Sequence, residues 1–273
     1  VYVTSRALAV NPPTKKQESS YNKLRNVLYP YQKAYIADNS KFSIWVASRQ
    51  VGKTYGGAYK AAIRAVRGEN FIVMSTSMRR ARGIVRVCKK AIQVAEKILA
   101  DPIKLEVDNK DEIVLKDGGS ILSVASNPST AVGEAGHLII DEASRFKNSD
   151  KIMDAVMPFI TRGNYTLSMI STPLGKQGMF YSAYDKALKG VNWKLFKTDV
   201  YEAIRQGCPI NVDLIKAEMD EISFRQNYLC EFIDDVGSFF SFELILACTN
   251  DELENLSLQQ LKQCEGMLIA GYD

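Results

Sequence analysis

The chain reads as an α/β protein with a mostly parallel central sheet. Three observations carry this reading: short, continuously apolar runs that suit strands buried on both faces, helical stretches between them, and a strand-then-helix rhythm kept along the chain. Its 273 residues are 46% apolar, 10% aromatic and 24% charged, which excludes collagen, coiled coil and wholesale disorder. That length accommodates one large domain, or one domain with a smaller companion.

Val1 to Ser20, with Asn11-Pro12-Pro13 and Lys15-Lys16, reads as an N-terminal arm. Because the first residue is Val1, residues before it are expected. Helical spacing begins near Tyr21. Phe42 to Ala47 is a buried strand, and after a turn a helix of small residues runs through Tyr59, Ala61 and Ile63 to Gly68. Phe71 to Ser75 is the next strand. Met78 to Ala100 is a long helix whose Ile84, Cys88, Ala91, Ala95 and Ile98 keep the spacing of a core-facing stripe. Residues 103–125 alternate and carry the turn signals Asp108-Asn109 and Asp117-Gly118-Gly119, so a β-meander is expected. Further strands are predicted at Leu138–Ile140, Tyr165–Ser171 and Trp193–Lys197, and helices at Ser149–Phe159 and Met179–Leu188. Cys230 to Phe242 is acidic and aromatic and reads as a connector, Leu244 to Gln263 as a helix. The final run, Met267 to Asp273, reads as a strand stopping at a carboxylate, the expected start of another domain.

No apolar run approaches the roughly 18 residues that cross a bilayer, and no signal peptide opens the chain. The five cysteines are odd in number and form no CxxC pair, so neither a zinc site nor a disulfide framework is indicated. His137 is the only histidine, which excludes histidine-cluster metal sites. The net charge of +4 hides an asymmetry: residues 1–100 carry 19 basic and 4 acidic side chains (+15), the remainder 16 and 27 (−11). Such a split points to a polyanionic partner unless the two halves fold back on each other.

Ala47-Ser48-Arg49-Gln50-Val51-Gly52-Lys53-Thr54 lies between a strand and a helix, the setting a phosphate-binding loop requires. There, backbone N–H groups at the helix start wrap phosphates, Lys53 reaches the β- and γ-oxygens, and the Thr54 hydroxyl ligates Mg²⁺. Ala47 replaces the usual first glycine. Leu138 to Ile140 runs into Asp141-Glu142, paired acids that are costly at the end of a buried strand without a cation. Phosphoryl transfer to water uses such a pair: Asp141 on the metal, Glu142 orienting the water. Ser171-Thr172-Pro173 ends a later strand, where hydroxyls can meet the γ-phosphate or Glu142. Arg79, Arg82, Arg86 and Lys90 recur at helical spacing as a cationic ridge suited to a phosphate backbone, with no base-reading motif beside it.

These motifs in this order, behind Pro30-Tyr31-Gln32, resemble the ATPase domain of the large terminase subunit of tailed bacteriophages. The most specific matches are Ser48-Arg49-Gln50-Val51-Gly52-Lys53-Thr54 and Asp141-Glu142-Ala143; Ser171-Thr172-Pro173 matches the coupling motif, and Phe232 to Phe240 the connector. The resemblance covers about residues 24–273 and implies a P-loop NTPase fold with a small lid subdomain, joined to an RNase H-like nuclease. The implied organisation is an arm (1–20), the ATPase domain with its lid (21–230), a connector (231–266) and the first nuclease strand (267–273).

The resemblance implies that Gln32 reads the adenine with Tyr31 stacking nearby. Ser48, Arg49, Gln50, Val51, Gly52, Lys53 and Thr54 bind ATP, Arg49 stabilising the γ-phosphate. Thr54 and Asp141 hold Mg²⁺, Glu142 activates water, and Ser171 and Thr172 couple the nucleotide state to movement. Asp273 becomes a nuclease metal ligand in a longer chain. Ring motors of this family use an arginine in trans, for which Arg145 and Arg162 are candidates. The implied cofactors are ATP and Mg²⁺. The implied partners are double-stranded DNA, the portal protein, the small terminase subunit and further copies in a ring on the procapsid, in the host cytoplasm and without a membrane. A helicase-type translocase and a nucleotide-binding assembly module silent outside its ring are the rival readings.

Overall fold

The computed structural model describes residues 28–99, 102–116, 118–125 and 135–233. The arm, the helical start at Tyr21, most of the connector, the helix expected at 244–263 and the final strand with Asp273 lie outside the described residues. In chain order the strands are β1 (Phe42–Ala47), β2 (Phe71–Ser75), β3 (Leu105–Asp108), β4 (Glu112–Leu115), β5 (Ser120–Ala125), β6 (His137–Asp141), β7 (Leu167–Ser171) and β8 (Trp193–Thr198). The helices are α1 (Pro30–Ala37), α2 (Lys53–Ala65), α3 (Met78–Leu99), α4 (Ser149–Arg162), α5 (Gly178–Leu188) and three short ones, α6 (Val200–Arg205), α7 (Val212–Ala217) and α8 (Glu221–Asn227).

The strands form one sheet in the order β3-β4-β5-β2-β6-β7-β1-β8. From β5 to β8 it is parallel, and β4 and β3 extend it antiparallel as the expected meander. The parallel strands read as unbroken apolar runs because helices cover both faces. Alternation then sorts their side chains. Trp45, Val73, Ile139 and Ile170 join the core under α1, α2 and α3, while Ile44, Met74, Ile140 and Met169 join the core under α4 and α5.

Small residues let α2 lie close to the sheet. A Cβ on Gly56 would come within 2.7 Å of Trp45 Cζ3, and one on Gly57 within 2.7 Å of Ile170 Cδ1. On α3 the expected stripe is buried at Ile84, Cys88, Ala91 and Ala95, and Val85 and Ile92 widen it; the side chain of Ile98 lies outside the described residues. Cys88, Cys208 and Cys230 are free and buried. Some boundaries shift. The second helix stops at Ala65 rather than Gly68, where Gly68, at φ 97°, turns back onto the Ala65 carbonyl. Helix α4 continues past Phe159 to Arg162 in spite of Pro158.

The strand order positions the chemistry. Strand β7 separates β1 from β6, and parallel strands present their C-terminal ends at one edge. The loop after β1, the acids ending β6 and the hydroxyls ending β7 therefore meet there, the usual ligand edge of an open α/β sheet. The short helices α6 to α8 gather around Val200, Val212, Phe224 and Tyr228. They touch the loop through Arg49 N–H, which donates to the Asn227 carbonyl at 3.0 Å.

Candidate phosphate-binding and hydrolytic site

The loop between β1 and α2 explains the departure at Ala47. Ala47 is a regular strand residue, fully buried and paired with Thr198, and needs no glycine freedom. The left-handed backbone falls instead on Gln50 (φ 64°) and Gly52 (φ 74°). At Gln50 that conformation costs on the order of 1 kcal/mol, strain of the kind that clusters at ligand-binding loops.

Tyr31 and Gln32 brace this loop from α1. The Tyr31 hydroxyl donates to the Val51 carbonyl at 2.9 Å, and Gln32 Nε2 donates to the Gly52 carbonyl at 3.2 Å while Oε1 accepts from Tyr29 N–H at 3.0 Å. The Gln32 amide, expected to read adenine, is thus already used on both ends by the protein. Tyr31 stacks on Tyr29 at 5.5 Å and lines a cavity of about 360 Å³ with Phe196, Asp199 and Gln206.

Thr54 and Asp141 meet across the edge. The Thr54 hydroxyl donates to Asp141 Oδ2 at 3.0 Å, and Asp141 is only 5% exposed. Burial, then the neighbouring Glu142 charge, pushes the Asp141 carboxyl up to about 6, against the pull of Lys53 and Thr54. One hydroxyl and one buried carboxylate form a hard oxygen pair, which fits a Mg²⁺ ion drawing its remaining ligands from water and phosphate.

Glu142 follows with a left-handed backbone, φ 57° and ψ 38°. Its Oε1 is 3.5 Å from Lys53 Nζ and its Oε2 3.3 Å from Arg145 Nε. The intervening 3-10 turn, Ala143–Arg145, is pinned by Ser144, whose hydroxyl lies 2.7 Å from Ser171 Oγ and donates to the Thr172 carbonyl at 2.8 Å. Thr172 Oγ1 is buried without a hydrogen-bond partner. A cavity of about 360 Å³ opens here, lined by Arg49, Gln50, Lys53, Arg80, Glu142, Arg145 and Thr172.

The two candidate trans arginines part company. Arg145 turns into the cavity of its own chain. Arg162 ends α4 at the opposite edge of the sheet, where Lys41 Nζ donates to the carbonyls of Ile160 and Gly163. The expected basic ridge is also interrupted: Arg79, Arg86 and Lys90 are exposed on α3, but Arg82 pairs with Asp111 in the β3–β4 turn, Nη2 to Oδ2 at 3.2 Å. Lys89 pairs with Asp108 alongside. Here the basic and acidic halves of the chain do fold back on each other.

Sequence reasoning missed Ser144 and Arg80. Ser144 was legible as the residue between the acid pair and an arginine. Arg80 was legible as a first-turn residue of the helix that leaves β2 at the same edge.

The chain is similar to known proteins. The sequence model of a family described as terminase large subunit, T4likevirus-type, N-terminal, matches residues 44–247. The probable terminase ATPase subunit of Haemophilus phage HP1 is 25% identical over 262 residues, covering 82% of this chain and 40% of that protein. The terminase ATPase subunit of Escherichia phage P2 is 26% identical over 238 residues, covering 76% and 38%. The chain therefore spans about two fifths of the length of these curated relatives. Among solved structures, the large terminase ATPase domain of Thermus phage P74-26 superposes with a TM-score of 0.63 at 16% identity, covering 78% of this chain and 98% of that one. The large terminase of bacteriophage HK97 gives 0.60 at 18% identity, covering 75% and 50%. That of a thermophilic bacteriophage, solved with ATP-gamma-S, gives 0.55 at 13%, covering 81% and 53%. At these identities the structural likeness speaks for the fold.

Proposed function

We infer the function of this chain from its family: it belongs to the large terminase subunits of T4likevirus type, whose N-terminal part its residues 44–247 match. It is the ATPase motor of a DNA-packaging terminase, hydrolysing ATP to drive double-stranded DNA into a procapsid. The observation that carries the hydrolytic reading is the convergence of Lys53, the Thr54–Asp141 pair and Glu142 around one cationic cavity at the sheet edge. A large terminase of similar fold has been solved with ADP and with ATP-gamma-S, which supports a nucleotide here. The family match favours this reading over the helicase-type one.

In this reading the loop N–H groups and Lys53 hold the β- and γ-phosphates, and Arg49 adds charge from the exposed side. Thr54 and Asp141 hold Mg²⁺, which when bound neutralises phosphate charge and orients the γ-phosphoryl group. Glu142 accepts a proton from the attacking water as its oxygen bonds to the γ-phosphorus; the bond to the bridging oxygen breaks and its electron pair leaves with ADP. Ser144, Ser171 and Thr172 link the Glu142 turn to β7, the strand between the phosphate loop and the acid, so a change at the γ-phosphate reaches α5. The lid is assigned to residues 200–227. Duplex DNA lies along Arg79, Arg86 and Lys90, read without base specificity.

The portal protein, the small terminase subunit and a ring of copies on the procapsid complete the motor in the host cytoplasm. Among the described residues no helix is long and apolar enough to cross a membrane. In this reading Asp273 is a metal-binding carboxylate of an RNase H-like nuclease. The test is nucleotide binding: Lys53→Ala should abolish saturable ATP-gamma-S binding by the folded chain, and wild-type affinity in that variant refutes the site.

A further inference from the structure

We propose that Arg145 acts on the nucleotide of its own subunit, exchanging its contact with Glu142 for the terminal phosphate of bound ATP. The inference rests on the ATPase reading above and concerns a role that reading leaves open.

The geometry of the turn carries it. The Arg145 N–H donates to the Glu142 carbonyl at 2.9 Å, and Ser144 ties the turn to β7, so the backbone aims the Arg145 side chain at Glu142 Oε2. An arginine serving a neighbour would point away from this cavity; Arg145 lines it. Four cations, Arg49, Lys53, Arg80 and Arg145, surround the cavity against the single carboxylate of Glu142. Among the described residues Arg49 and Arg80 have no acidic partner. Thr172 also lines it, with its Oγ1 buried and without a hydrogen-bond partner among the described residues. Such an excess of donors and positive charge suits a polyanion that accepts hydrogen bonds on several oxygens: a terminal phosphate.

The Arg145–Glu142 contact suits a transferable hold. At 3.3 Å, with the Arg145 side chain 34% exposed, it belongs to the weak class of ion pairs, worth about 0–1 kcal/mol. A phosphate of higher charge offers a guanidinium two stronger, charge-assisted hydrogen bonds. Lys53, which holds the other carboxylate oxygen at 3.5 Å, is drawn to the same phosphate. Both cations that restrain the water-activating acid are thus removed by the substrate it acts on, and Glu142 is freed only in a loaded site.

The test compares nucleotides that differ by the terminal phosphate. Affinities of the wild-type chain, Arg145→Ala and Arg145→Lys for ATP-gamma-S and for ADP are measured by fluorescence titration at a concentration where sedimentation shows single copies, so no neighbour can contribute. Arg145→Ala should lose about tenfold or more for ATP-gamma-S and keep its ADP affinity within about twofold, and Arg145→Lys should recover part of the loss. Retained ADP affinity also reports an intact fold. Equal losses for both nucleotides, or no loss for either, overturn the proposal. A wild-type chain that binds neither nucleotide overturns the ATPase reading itself.

Discussion

The two ends of α2 carry charges in opposite ways. At its start Lys53 faces a cavity where four cations meet one carboxylate. At its end the charges are matched and enclosed: Lys60, 2% exposed, lies 3.8 Å from Asp38 and 4.5 Å over the Tyr35 ring. Arg64 Nε donates to Glu69 Oε2 at 2.8 Å, and His137 Nε2 reaches the same oxygen at 3.0 Å while its Nδ1 accepts from Thr166 N–H. A helix end whose charges cancel inside the protein is architecture. One whose charges are left over is built for something that arrives.

The contrast predicts separable losses, the largest at the start. Lys53→Ala, which loses saturable nucleotide binding, should cut ATP turnover by at least about 10²–10³-fold, to background, and leave the melting temperature unchanged or raised because it relieves cationic excess. Phosphate release and a thermal melt on one preparation check both. Arg64→Ala should do the reverse. It leaves Glu69, whose side chain is 25% exposed, to His137 and should destabilise by about 2 kcal/mol in a denaturant titration, with nucleotide affinity of the folded fraction unchanged.

The same end gives a pH signature. Burial alone would raise the Glu69 carboxyl, but hydrogen bonds from His137 and Arg64 outweigh it and hold the group down at about 2, against 4.5 unperturbed. Its contribution is therefore complete above about pH 4.5 and drains away as pH falls toward 2. Melting temperatures between pH 7 and 3 should fall less steeply in Glu69→Gln than in the wild type. The smallest effect lies on the outer face of α3. Arg86→Glu should weaken duplex binding and lower the magnitude of its log–log salt slope by about 1, whereas Arg82→Ala, already spent on Asp111, should change that slope by less.

The fold was legible wherever the covalent sequence alone decided the answer. Phe42–Ala47 and Phe71–Ser75 read to the residue because strands covered on both faces must be unbroken apolar runs. Lys53, Thr54, Asp141 and Glu142 announced themselves by type and setting, and the structure brings them together. The order of strands was not legible, and with it went the position of Ser171 and Thr172 between the phosphate loop and the acids. Long-range partners were hidden as well. Nothing local says that Asp111 takes Arg82 out of the basic ridge, that the Gln32 amide is consumed by the loop it braces, or that Arg145 turns inward while Arg162 stands at the far edge. Those facts belong to side-chain pairs tens of residues apart, or to a three-residue turn whose direction is fixed by a strand it does not adjoin.

We propose the cavity at the start of α2 as a hydrolytic ATP site with Glu142 as its water-activating acid. Glu142→Gln keeps the shape of the side chain and removes its charge, so one measurement addresses the claim: the rate of phosphate release from ATP-gamma-S-competable, bound ATP in a single-turnover experiment. Undiminished nucleotide binding with release slowed by about 10²–10⁴-fold is the predicted result. Release at the wild-type rate would contradict it.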